Sequence, residues 1–282
     1  MKRLSGKKVL ITGTASGIGR ATAIAMGKSG CHLFLTDING DGLRKTAESI
    51  TGAGGKVCMA QVLDVSQYQA MKAFAEKVHE DYGVLDILIN VAGIALFSKI
   101  EDMQHRDWEK IMEVNLWGVI HGLECFIPEM IRAGKGGHVV TVSSTAGIIG
   151  LPWHAAYAGS KHALLGISEA LRYDLKKHNI GVSVICPGAV NTELVQNVRI
   201  HANKEGIEKG RRLFLKIATT PEKVALSIMK AIRTGKFLNI TSFDIQLLYF
   251  AKKYFFPVYH FVMMIISRMM DKILIRGLNH QK

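Results

Sequence analysis

Short apolar runs alternate with longer amphipathic stretches along most of this chain. Apolar runs lie near residues 7–12, 32–37, 56–62, 86–90, 138–143 and 181–187. Several of them are almost continuously apolar, such as Val182-Ser-Val-Ile-Cys186, which is typical of parallel strands buried on both faces. Strands that alternate with helices predict an α/β domain, in which one doubly wound parallel sheet carries helices on both faces.

The stretches between these runs have helical periodicity. One helix is expected from Gly17 to about Ser29, and another from Ala155 to about His178. Glycine clusters at 52–55 and 134–137 are interpreted as helix-to-strand turns and not as domain boundaries. The 282 residues suffice for one domain with a well-buried core. The expected organisation is a domain over 1–240 and a C-terminal helical extension over 241–282.

A glycine-rich segment follows the first predicted strand directly. It reads Thr12-Gly-Thr-Ala-Ser-Gly-Ile-Gly19, so that Gly13, Gly17 and Gly19 lie where a strand meets a helix. A pyrophosphate bound there needs close backbone approach and the N-terminus of the helix. The spacing differs from the common Gly-x-Gly-x-x-Gly pattern, and a tight turn without a ligand would also fit. The segment therefore indicates, but does not by itself establish, a dinucleotide site.

Asp37 ends the second predicted strand, about twenty residues after the glycines. A carboxylate at this place holds the hydroxyl groups of the adenosine ribose and repels a 2′-phosphate. No Lys or Arg follows Asp37 directly, since the next residues are Ile38 and Asn39. NAD is therefore favoured as cofactor, with NADP as the alternative. A capping or turn role for Asp37 also remains open.

Tyr157 and Lys161 form a second candidate group. Residues four apart on a helix share a face, which brings the phenol and the ammonium together. A free phenol has a pKa of about 10, and lowering it by about 3 units requires roughly 4 kcal/mol. An ammonium at about 4 Å in an effective dielectric near 20 supplies about that much. Tyr157 is then a candidate acid and base, and Ser144 can hydrogen-bond the reacting oxygen. By itself, the pair would also fit a solvated helix surface.

Together these motifs resemble the short-chain dehydrogenase/reductase family over roughly residues 5–240. Further matches in the same chain order are Asp64-Val65, which resembles the pair that contacts the adenine, the segment Asn90-Val-Ala-Gly93 with Val91 in place of a second asparagine, a helix asparagine at Asn115, and Pro187-Gly188 with Thr192. The resemblance implies a Rossmann-type fold and an alcohol dehydrogenase or reductase that transfers hydride. It also implies a homodimer or homotetramer, joined through the helix that carries Tyr157 and its neighbour.

The resemblance implies a role for each matched residue. Asn115, Ser144, Tyr157 and Lys161 would form the catalytic set, with Asn115 holding a water that leads to the lysine. The other matched positions would bind the cofactor together with Tyr157 and Lys161: Gly13, Ser16, Gly17, Ile18, Gly19, Asp37, Asp64, Val65, Asn90, Ala92, Gly93, Pro187, Gly188 and Thr192.

Apolar segments are expected to line the substrate site. They are 94–97 and 146–153, and a third, variable segment at about 189–215 completes the site within a region of loop and helices at about 189–235. Such a lining suits a hydrophobic secondary alcohol or ketone, such as a sterol, a retinoid or a lipid-like molecule. Trp153 could line the site or pack elsewhere. His154 could contact the substrate, although a surface or capping role is favoured. Alternative functions are an NADP(H)-dependent carbonyl reductase and a dinucleotide sensor or scaffold without turnover.

Charge is divided unevenly along the chain. Residues 1–198 carry 20 basic and 18 acidic side chains, whereas 199–282 carry 16 basic and 5 acidic. The apolar part of the last forty residues is shorter than the roughly 20 residues of a spanning helix, and Pro257 and His260 interrupt it. Its aromatic residues and the cations Lys252, Lys253, Arg268, Lys272 and Arg276 fit contact with an anionic bilayer surface. A subunit interface is the alternative, and nucleic-acid binding is disfavoured.

The four cysteines, Cys31, Cys58, Cys125 and Cys186, are scattered and predict core positions in a reducing compartment. No metal site is expected from the sequence. The first residues lack the apolar region of a secretory signal, so a cytoplasmic location with membrane-surface association is expected.

Overall fold

A seven-stranded parallel sheet forms the centre of the molecule. The computed structural model describes residues 3–193, 199–200 and 204–275. The strands of the sheet are β1 Lys8–Thr12, β2 His32–Asp37, β3 Lys56–Val62, β4 Ile87–Asn90, β6 Gly137–Val142, β7 Ile180–Cys186 and β9 Leu238–Ile240. Across the sheet they follow the order β3-β2-β1-β4-β6-β7-β9. A separate two-stranded sheet pairs β5 Leu96–Phe97 with β8 Arg199–Ile200.

Helices cover both faces of the large sheet. They are α1 Gly17–Lys28, α2 Gly40–Gly52, α3 Tyr68–Tyr82, α4 His105–Met112, α5 Gly118–Ala133, α6 Ala155–Asp174, α7 Lys204–Ile217, α8 Pro221–Thr234, α9 Phe243–Tyr254 and α10 Phe256–Ile275. On one face, α1, α2 and α8 bury residues such as Met26, Ile50 and Ile228. On the other face, α3, α5 and α6 bury Phe74, Phe126 and Leu164. The predicted doubly wound architecture is confirmed.

All six strands predicted from the apolar runs are present at nearly the predicted positions. The glycine clusters at 52–55 and 134–137 do lie between a helix and a strand. The long helix is shorter than expected, because α6 ends at Asp174 and a 3-10 turn covers Lys176–His178. Sequence analysis did not predict β9, which has three partly exposed residues, one of them the polar Asn239. Its pairing with β7 is a tertiary feature, since so short a run has no period of its own.

The C-terminal extension packs against the domain through one face of each helix. Tyr259 and Met263 of α10 are buried with Ile149, Val184 and Cys186 in a third apolar cluster. Lys252 of α9 donates a hydrogen bond from Nζ to the carbonyl oxygen of Ile148 at 2.7 Å. Among the residues described, no helix is both long and apolar enough to cross a bilayer. Arg276, expected among the basic residues of the extension, lies outside the described part.

Candidate active site

The sequence-predicted site residues meet at one edge of the sheet. Chain order reverses between β1 and β4, and ligands of open α/β sheets bind at the carboxyl ends of the strands beside such a reversal. The glycine-rich segment follows β1, Ser144 lies just beyond β6, and Pro187 follows β7. Thr145 Oγ1 donates to the carbonyl oxygen of Pro187 at 2.8 Å, which links the last two segments. Strand topology thus brings together residues that are far apart in sequence.

Glycine is sterically required in the segment after β1. A Cβ atom on Gly19 would lie 1.8 Å from the carbonyl oxygen of Gly13, and one on Gly13 would lie 2.8 Å from Ala92. Gly13 also has a φ of +73°, which favours glycine. Since α1 begins directly afterwards at Gly17, the first backbone amides of this helix, including that of Ile18, point towards the loop.

Two contacts hold this loop against the neighbouring segments. Thr12 Oγ1 accepts hydrogen bonds from the backbone amides of Val91 at 3.0 Å and Ala92 at 3.1 Å. A Cβ atom on Gly17 would lie 3.0 Å from Cγ2 of Thr192. Ser16 occupies the N-cap position of α1 without capping the helix through its side chain. Close backbone packing and helix N-terminal amides are what a pyrophosphate group needs, so this loop fits a dinucleotide.

Asp37 lies at the end of β2 with its carboxylate held in place. Oδ2 accepts from the amide of Ala15 at 2.8 Å, and Oδ1 accepts from the amide of Asn39 at 2.9 Å. Asp37 is therefore a turn residue, one of the roles left open by the sequence. The side chain is still only partly buried, and the following Ile38 is 66% exposed. The carboxylate remains accessible, and the residue directly after it supplies no cation.

The other predicted cofactor residues surround the same edge. Asp64 Oδ1 accepts from the amide and the hydroxyl of Ser66, which closes the turn after β3. The carbonyl oxygen of Val65 lies 2.9 Å from Nδ1 of His121. Asn90 is buried, and neither atom of its side-chain amide has a hydrogen-bond partner among the described residues. A bound group or a water would satisfy such atoms.

Gly188 lies further from the loop and packs against the C-terminal extension. A Cβ atom on this residue would lie 2.7 Å from Oγ of Ser242, which precedes α9. The segment after β7 is thereby held between the sheet and the extension.

Asn115 and Lys161 approach each other beside Gly93. A Cβ atom on Gly93 would lie 3.1 Å from Asn115 Oδ1 and 3.4 Å from Lys161 Nζ. Asn115 Oδ1 accepts from the amide of Ile94 at 2.8 Å, and its Nδ2 donates to the carbonyl oxygen of Ile94 at 2.9 Å. It lies in a π-helical turn, Glu113–Trp117, that joins α4 to α5. Such turns are rare and frequent at functional sites.

Tyr157 and Lys161 lie one turn apart on α6, as their spacing predicts. Lys161 Nζ is 5.8 Å from the centroid of the Tyr157 ring and donates to the carbonyl oxygen of Val142 at 3.1 Å. Ser144 forms a side-chain hydrogen bond with Tyr157. Lys161 is buried and Tyr157 is partly buried, so the pair is not a solvated helix surface.

Burial opposes the electrostatic effect expected from sequence. Loss of solvent raises the pKa of Tyr157, while the hydrogen bond with Ser144 acts in the opposite direction. Loss of solvent also lowers the pKa of Lys161 to about 8, which still leaves it mostly protonated at neutral pH. The spacing of the two residues indicates the attraction of the ammonium, but the cost of desolvating the phenolate arises only from burial in the folded chain. Tyr157 is consequently a neutral phenol at neutral pH and can donate a proton.

His154 is not at the surface, which was one of the positions left open by the sequence. It precedes α6 in the N-cap position, but it is buried, and its ring lies 4.1 Å from that of Phe97 and 6.2 Å from that of Tyr157. Nδ1 lies 2.6 Å from the carbonyl oxygen of Pro152. Burial lowers the pKa of His154 to about 4, so the ring is neutral near pH 7. Nothing in a single sequence distinguishes this position from a surface cap.

Part of the expected substrate lining faces elsewhere. Ile148 and Ile149 are buried against Tyr259 and Met263 of α10. Trp153 also packs, with its indole Nε1 donating to Asp271 Oδ1 at 3.0 Å. These contacts join the segment 146–153 to the distant extension, so no local pattern in the sequence indicates them. His154 remains beside Tyr157, with Phe97 packed against the His154 ring.

Sequence analysis also missed two supporting hydroxyl groups. Besides Thr12, described above, Ser160 Oγ accepts from Asn115 Nδ2 at 3.2 Å and donates to the carbonyl oxygen of Tyr157 at 2.8 Å. The only signal for Ser160 is its position between Tyr157 and Lys161. In the part of the chain that the structure describes, no group of three or more His, Cys, Asp or Glu side chains is placed to hold a metal ion.

Comparison with known proteins gives one consistent family. Residues 7–203 match the profile described as short chain dehydrogenase. The chain is 37% identical over 235 residues to the "Probable oxidoreductase EphD" of Mycobacterium tuberculosis, which covers 81% of the chain but only 40% of that protein. It is 34% identical over 227 residues to "3-oxoacyl-[acyl-carrier-protein] reductase FabG" of Thermotoga maritima, covering 80% and 90% of the two chains.

A solved structure has the same fold over almost the whole chain. It is a short chain dehydrogenase/reductase from Burkholderia phymatum in complex with NAD, with a TM-score of 0.82 and 28% identity. The likeness covers 92% of this chain and 96% of that one.

Proposed function

This chain belongs to the short-chain dehydrogenase family and is an oxidoreductase, and we propose that it is an NAD-dependent enzyme that interconverts a hydrophobic secondary alcohol and its ketone. The observation that carries the proposal is the convergence of Asn115, Ser144, Tyr157 and Lys161 beside the glycine-rich loop. A phenol, a hydroxyl and a buried ammonium are the groups that proton transfer to or from an alcohol requires.

Each side chain has a role that its contacts support. Tyr157 exchanges the proton of the substrate hydroxyl, and Ser144, hydrogen-bonded to Tyr157, polarises the same oxygen. Lys161 supplies a nearby positive charge that favours the phenolate when the phenol gives up its proton. Both polar atoms of the Asn115 amide are hydrogen-bonded to the backbone of Ile94. These bonds fix the Asn115 side chain next to Lys161. Bound NAD would supply the carbon that accepts the hydride.

NAD is proposed over NADP because of Asp37. A 2′-phosphate beside its carboxylate would bring negative charges together, and the residue that follows is the apolar Ile38. The family relative from Burkholderia phymatum was solved with NAD, which supports the same choice. Gly13, Gly17 and Gly19 would approach the pyrophosphate, and Asp64 with Val65 would approach the adenine.

The proposed substrate is apolar near the reacting oxygen. The neutral ring of His154 lies beside Tyr157 and packs against Phe97, and neither side chain carries a charge near pH 7. Such groups suit a sterol-, retinoid- or lipid-like molecule and offer no anchor for a phosphate or a carboxylate.

A carbonyl reductase is the second candidate, and the protonation of Tyr157 favours it. A phenol whose pKa is raised by burial is protonated at neutral pH, which suits donation of a proton to a ketone oxygen. The relative from Thermotoga maritima is named a reductase of 3-oxoacyl groups, which are also lipid-like. In this case NADPH would replace NADH.

Replacing Tyr157 by Phe tests the proposal. Turnover of hydrophobic secondary alcohols with NAD should fall by roughly 10²- to 10⁴-fold, because general acid–base catalysis contributes about that factor. Binding of NADH, followed by its fluorescence, should remain. Tyr173→Phe is the matched control, since Tyr173 is on the same helix but is 65% exposed. If the wild-type chain binds NADH but turns over neither alcohols nor ketones, a dinucleotide sensor is the better description.

A further inference from the structure

The C-terminal extension exposes an unusual amount of apolar surface. Among the described residues, 21 large apolar side chains are exposed, and 11 of them lie between Phe243 and Met269. Those eleven are Phe243, Leu247, Phe250, Tyr254, Phe255, Phe256, Val258, Phe261, Met264, Ile265 and Met269. Contiguous apolar patches of this kind usually mark a contact with a membrane or another protein.

These side chains lie on one side of each helix. On α9 they recur at Phe243, Leu247, Phe250 and Tyr254, which follows the helical period. On α10, Phe261, Ile265 and Met269 have the same four-residue spacing. The opposite faces are already packed against the domain. The outer faces therefore stay exposed while the helices remain folded, and together we call them the docking surface.

Aromatic rings are concentrated where α9 passes into α10. The centroid of the Phe250 ring lies 4.8 Å from that of Tyr254 and 6.0 Å from that of Phe255. The turn itself is tight, because the amide of Phe255 donates to the carbonyl oxygen of Ala251 at 2.7 Å and the amide of Val258 donates to that of Phe255 at 3.0 Å. A rigid corner of exposed rings suits the boundary between lipid headgroups and acyl chains.

Cations surround the apolar surface. Lys253, Arg268 and Lys272 are exposed on the same helices. The acidic residues between 243 and 275 are Asp244, which is exposed, and Asp271, which is bound to Trp153 and lies 3.7 Å from Lys99. The charge around the exposed rings is thus positive. It complements an anionic lipid surface better than an apolar protein surface with few acidic groups.

A groove next to the aromatic corner has the same combination of groups. It has a volume of about 310 Å³ and is lined by Lys236, Tyr249, Phe250, Lys253 and Tyr254 among others. Lys253 Nζ is 5.2 Å from the centroid of the Tyr254 ring. Two ammonium groups beside aromatic rings suit the phosphate of a lipid headgroup with the start of its acyl chains.

We propose that the docking surface holds this protein on the surface of an anionic lipid bilayer. Two copies of the chain are a poorer partner, because a two-fold interface through this surface would place the cations of both copies opposite one another. Insertion across the bilayer is not needed, since the helices lie along the domain and their inner faces are occupied.

The position of the docking surface also bears on the active site. The inner side of α10 holds the segment that leads to Tyr157, since Tyr259 Oη accepts from the amide of Gly150 at 3.2 Å and Asp271 accepts from Trp153. A bilayer beneath the extension would contact the helices that support the segment before Tyr157, where the proposed apolar substrate reacts. This consequence rests on the proposed function, whereas docking does not.

Vesicle flotation with the full chain tests the docking directly and without any activity. We expect the protein to float with vesicles of equal parts phosphatidylcholine and phosphatidylglycerol, and to bind vesicles of phosphatidylcholine alone at least tenfold more weakly. Raising the salt concentration should weaken binding to the anionic vesicles, because surface charges are screened. Failure to bind the anionic vesicles would overturn the proposal.

Paired variants locate the contact. Leu247→Ser on α9 together with Phe261→Ser on α10 should lower the affinity for anionic vesicles at least tenfold. Leu226→Ser is the control, since Leu226 is 62% exposed on α8 and Leu247 is 58% exposed. Lys253→Glu should weaken binding more than Lys230→Glu, an equal change in charge at an exposed position of α8. Equal losses in target and control variants would contradict the assignment of this surface.

The same variants distinguish docking from self-association. The wild-type protein could fail to bind vesicles and instead sediment as a dimer that is dissociated by the double variant Leu247→Ser and Phe261→Ser. In that case the surface joins two copies and the proposal is wrong. Loss of turnover by Tyr157→Phe without loss of vesicle binding would leave docking intact, so the two hypotheses fail separately.

Discussion

At the scale of single residues, burial changes the chemistry that residue type and spacing suggest. Tyr157 and Lys161 are paired as their four-residue spacing predicts. Loss of solvent nevertheless raises the pKa of Tyr157 and lowers that of Lys161, which favours the neutral form of each. His154, expected at the surface, is likewise neutral because it is buried beside Phe97. A sequence specifies which groups are present, but the dielectric environment of a group belongs to the folded chain.

Asp37 provides a prediction about cofactor choice. Asp37→Asn removes the negative charge and keeps an oxygen that can accept from a backbone amide. We expect the ratio of kcat/KM for NADP to that for NAD to rise by roughly tenfold or more, because like charges in contact cost a few kcal/mol. Asp41→Asn is the control, since Asp41 is an exposed acid in the first turn of the next helix. An unchanged ratio in Asp37→Asn would mean that the carboxylate serves the turn alone.

The buried ring of His138 should make the folded protein less stable in acid. Its ring is buried in β6 with Nε2 2.9 Å from Ser183 Oγ, and desolvation lowers its pKa to about 4 from an ordinary 6.5. The unfolded chain therefore binds a proton more readily. The stabilising contribution is complete above about pH 6.5 and is lost as the pH falls towards 4. Complete loss amounts to about 3 kcal/mol in the free energy of unfolding.

Urea unfolding between pH 7 and 4 measures this effect. The slope of the unfolding free energy against pH reports the protons taken up on unfolding. In His138→Gln this number should be smaller than in the wild type by up to one proton, whatever the absolute stability of the variant. A wild-type slope in His138→Gln would show that other groups, such as His154, dominate acid unfolding.

At the scale of elements, the extension is built into the domain by one face and exposed by the other. The inner face of α10 contributes Tyr259 and Met263 to a cluster with residues of β7 and of the segment before α6. The turn before α6 depends on the same helix, because Trp153, with a φ of +65°, donates its indole N–H to Asp271. The helix α10 lies after residues 7–203, which match the family profile, and it nevertheless helps to position the segment that leads to Tyr157.

Two adjacent methionines of α10 separate the roles of these faces. Met263 is 9% exposed and Met264 is 38% exposed. Met263→Ala should lower the free energy of unfolding by about 2–4 kcal/mol, since it leaves a cavity in a packed cluster. Met264→Ala should change it by less than about 0.5 kcal/mol. Chemical denaturation followed by circular dichroism measures both. Similar small losses would mean that α10 does not fold cooperatively with the domain.

At the scale of the whole molecule, charge and apolar surface are concentrated at the same end of the chain. Residues 199–282 hold 16 of the 36 basic residues but only 5 of the 23 acidic ones. Within the described residues, the largest group of exposed apolar side chains lies on α9 and α10. Sequence analysis offered a bilayer surface and a subunit interface as partners for this region, and the exposed outer faces of both helices leave either contact sterically possible.

The homodimer or homotetramer that the family resemblance implies gives a prediction at this scale, and we propose the dimer contact as the element to test. We expect it to form through α5 and α6, where Trp117 at the start of α5 is 51% exposed and Ala170 of α6 is exposed. Trp117→Glu and Ala170→Glu should each shift the protein towards monomer in sedimentation velocity, because a charge is then buried without a partner. Phe261→Glu on the docking surface should leave the dimer intact. Dissociation by Phe261→Glu alone would place the interface on the extension.

The sequence by itself determined the fold class, the family and which residues compose the candidate site. Buried parallel strands need nearly continuous apolar runs, and six such runs were therefore visible without any structure. The glycines after β1 could also be recognised from the sequence, because they lie where a strand meets a helix. In the structure, a Cβ atom on Gly19 would overlap the carbonyl group of Gly13. These features depend on local sterics and on periodicity, which are properties of neighbouring residues.

Only the tertiary structure decided how distant segments affect one another. It paired the three residues of β9 with β7, turned Ile148 and Ile149 towards α10, and buried His154 beside Tyr157. It also set the direction in which the pKa values of Tyr157 and Lys161 shift. Each of these depends on contacts between residues far apart in the chain, and burial is a property of the folded molecule that no local pattern encodes.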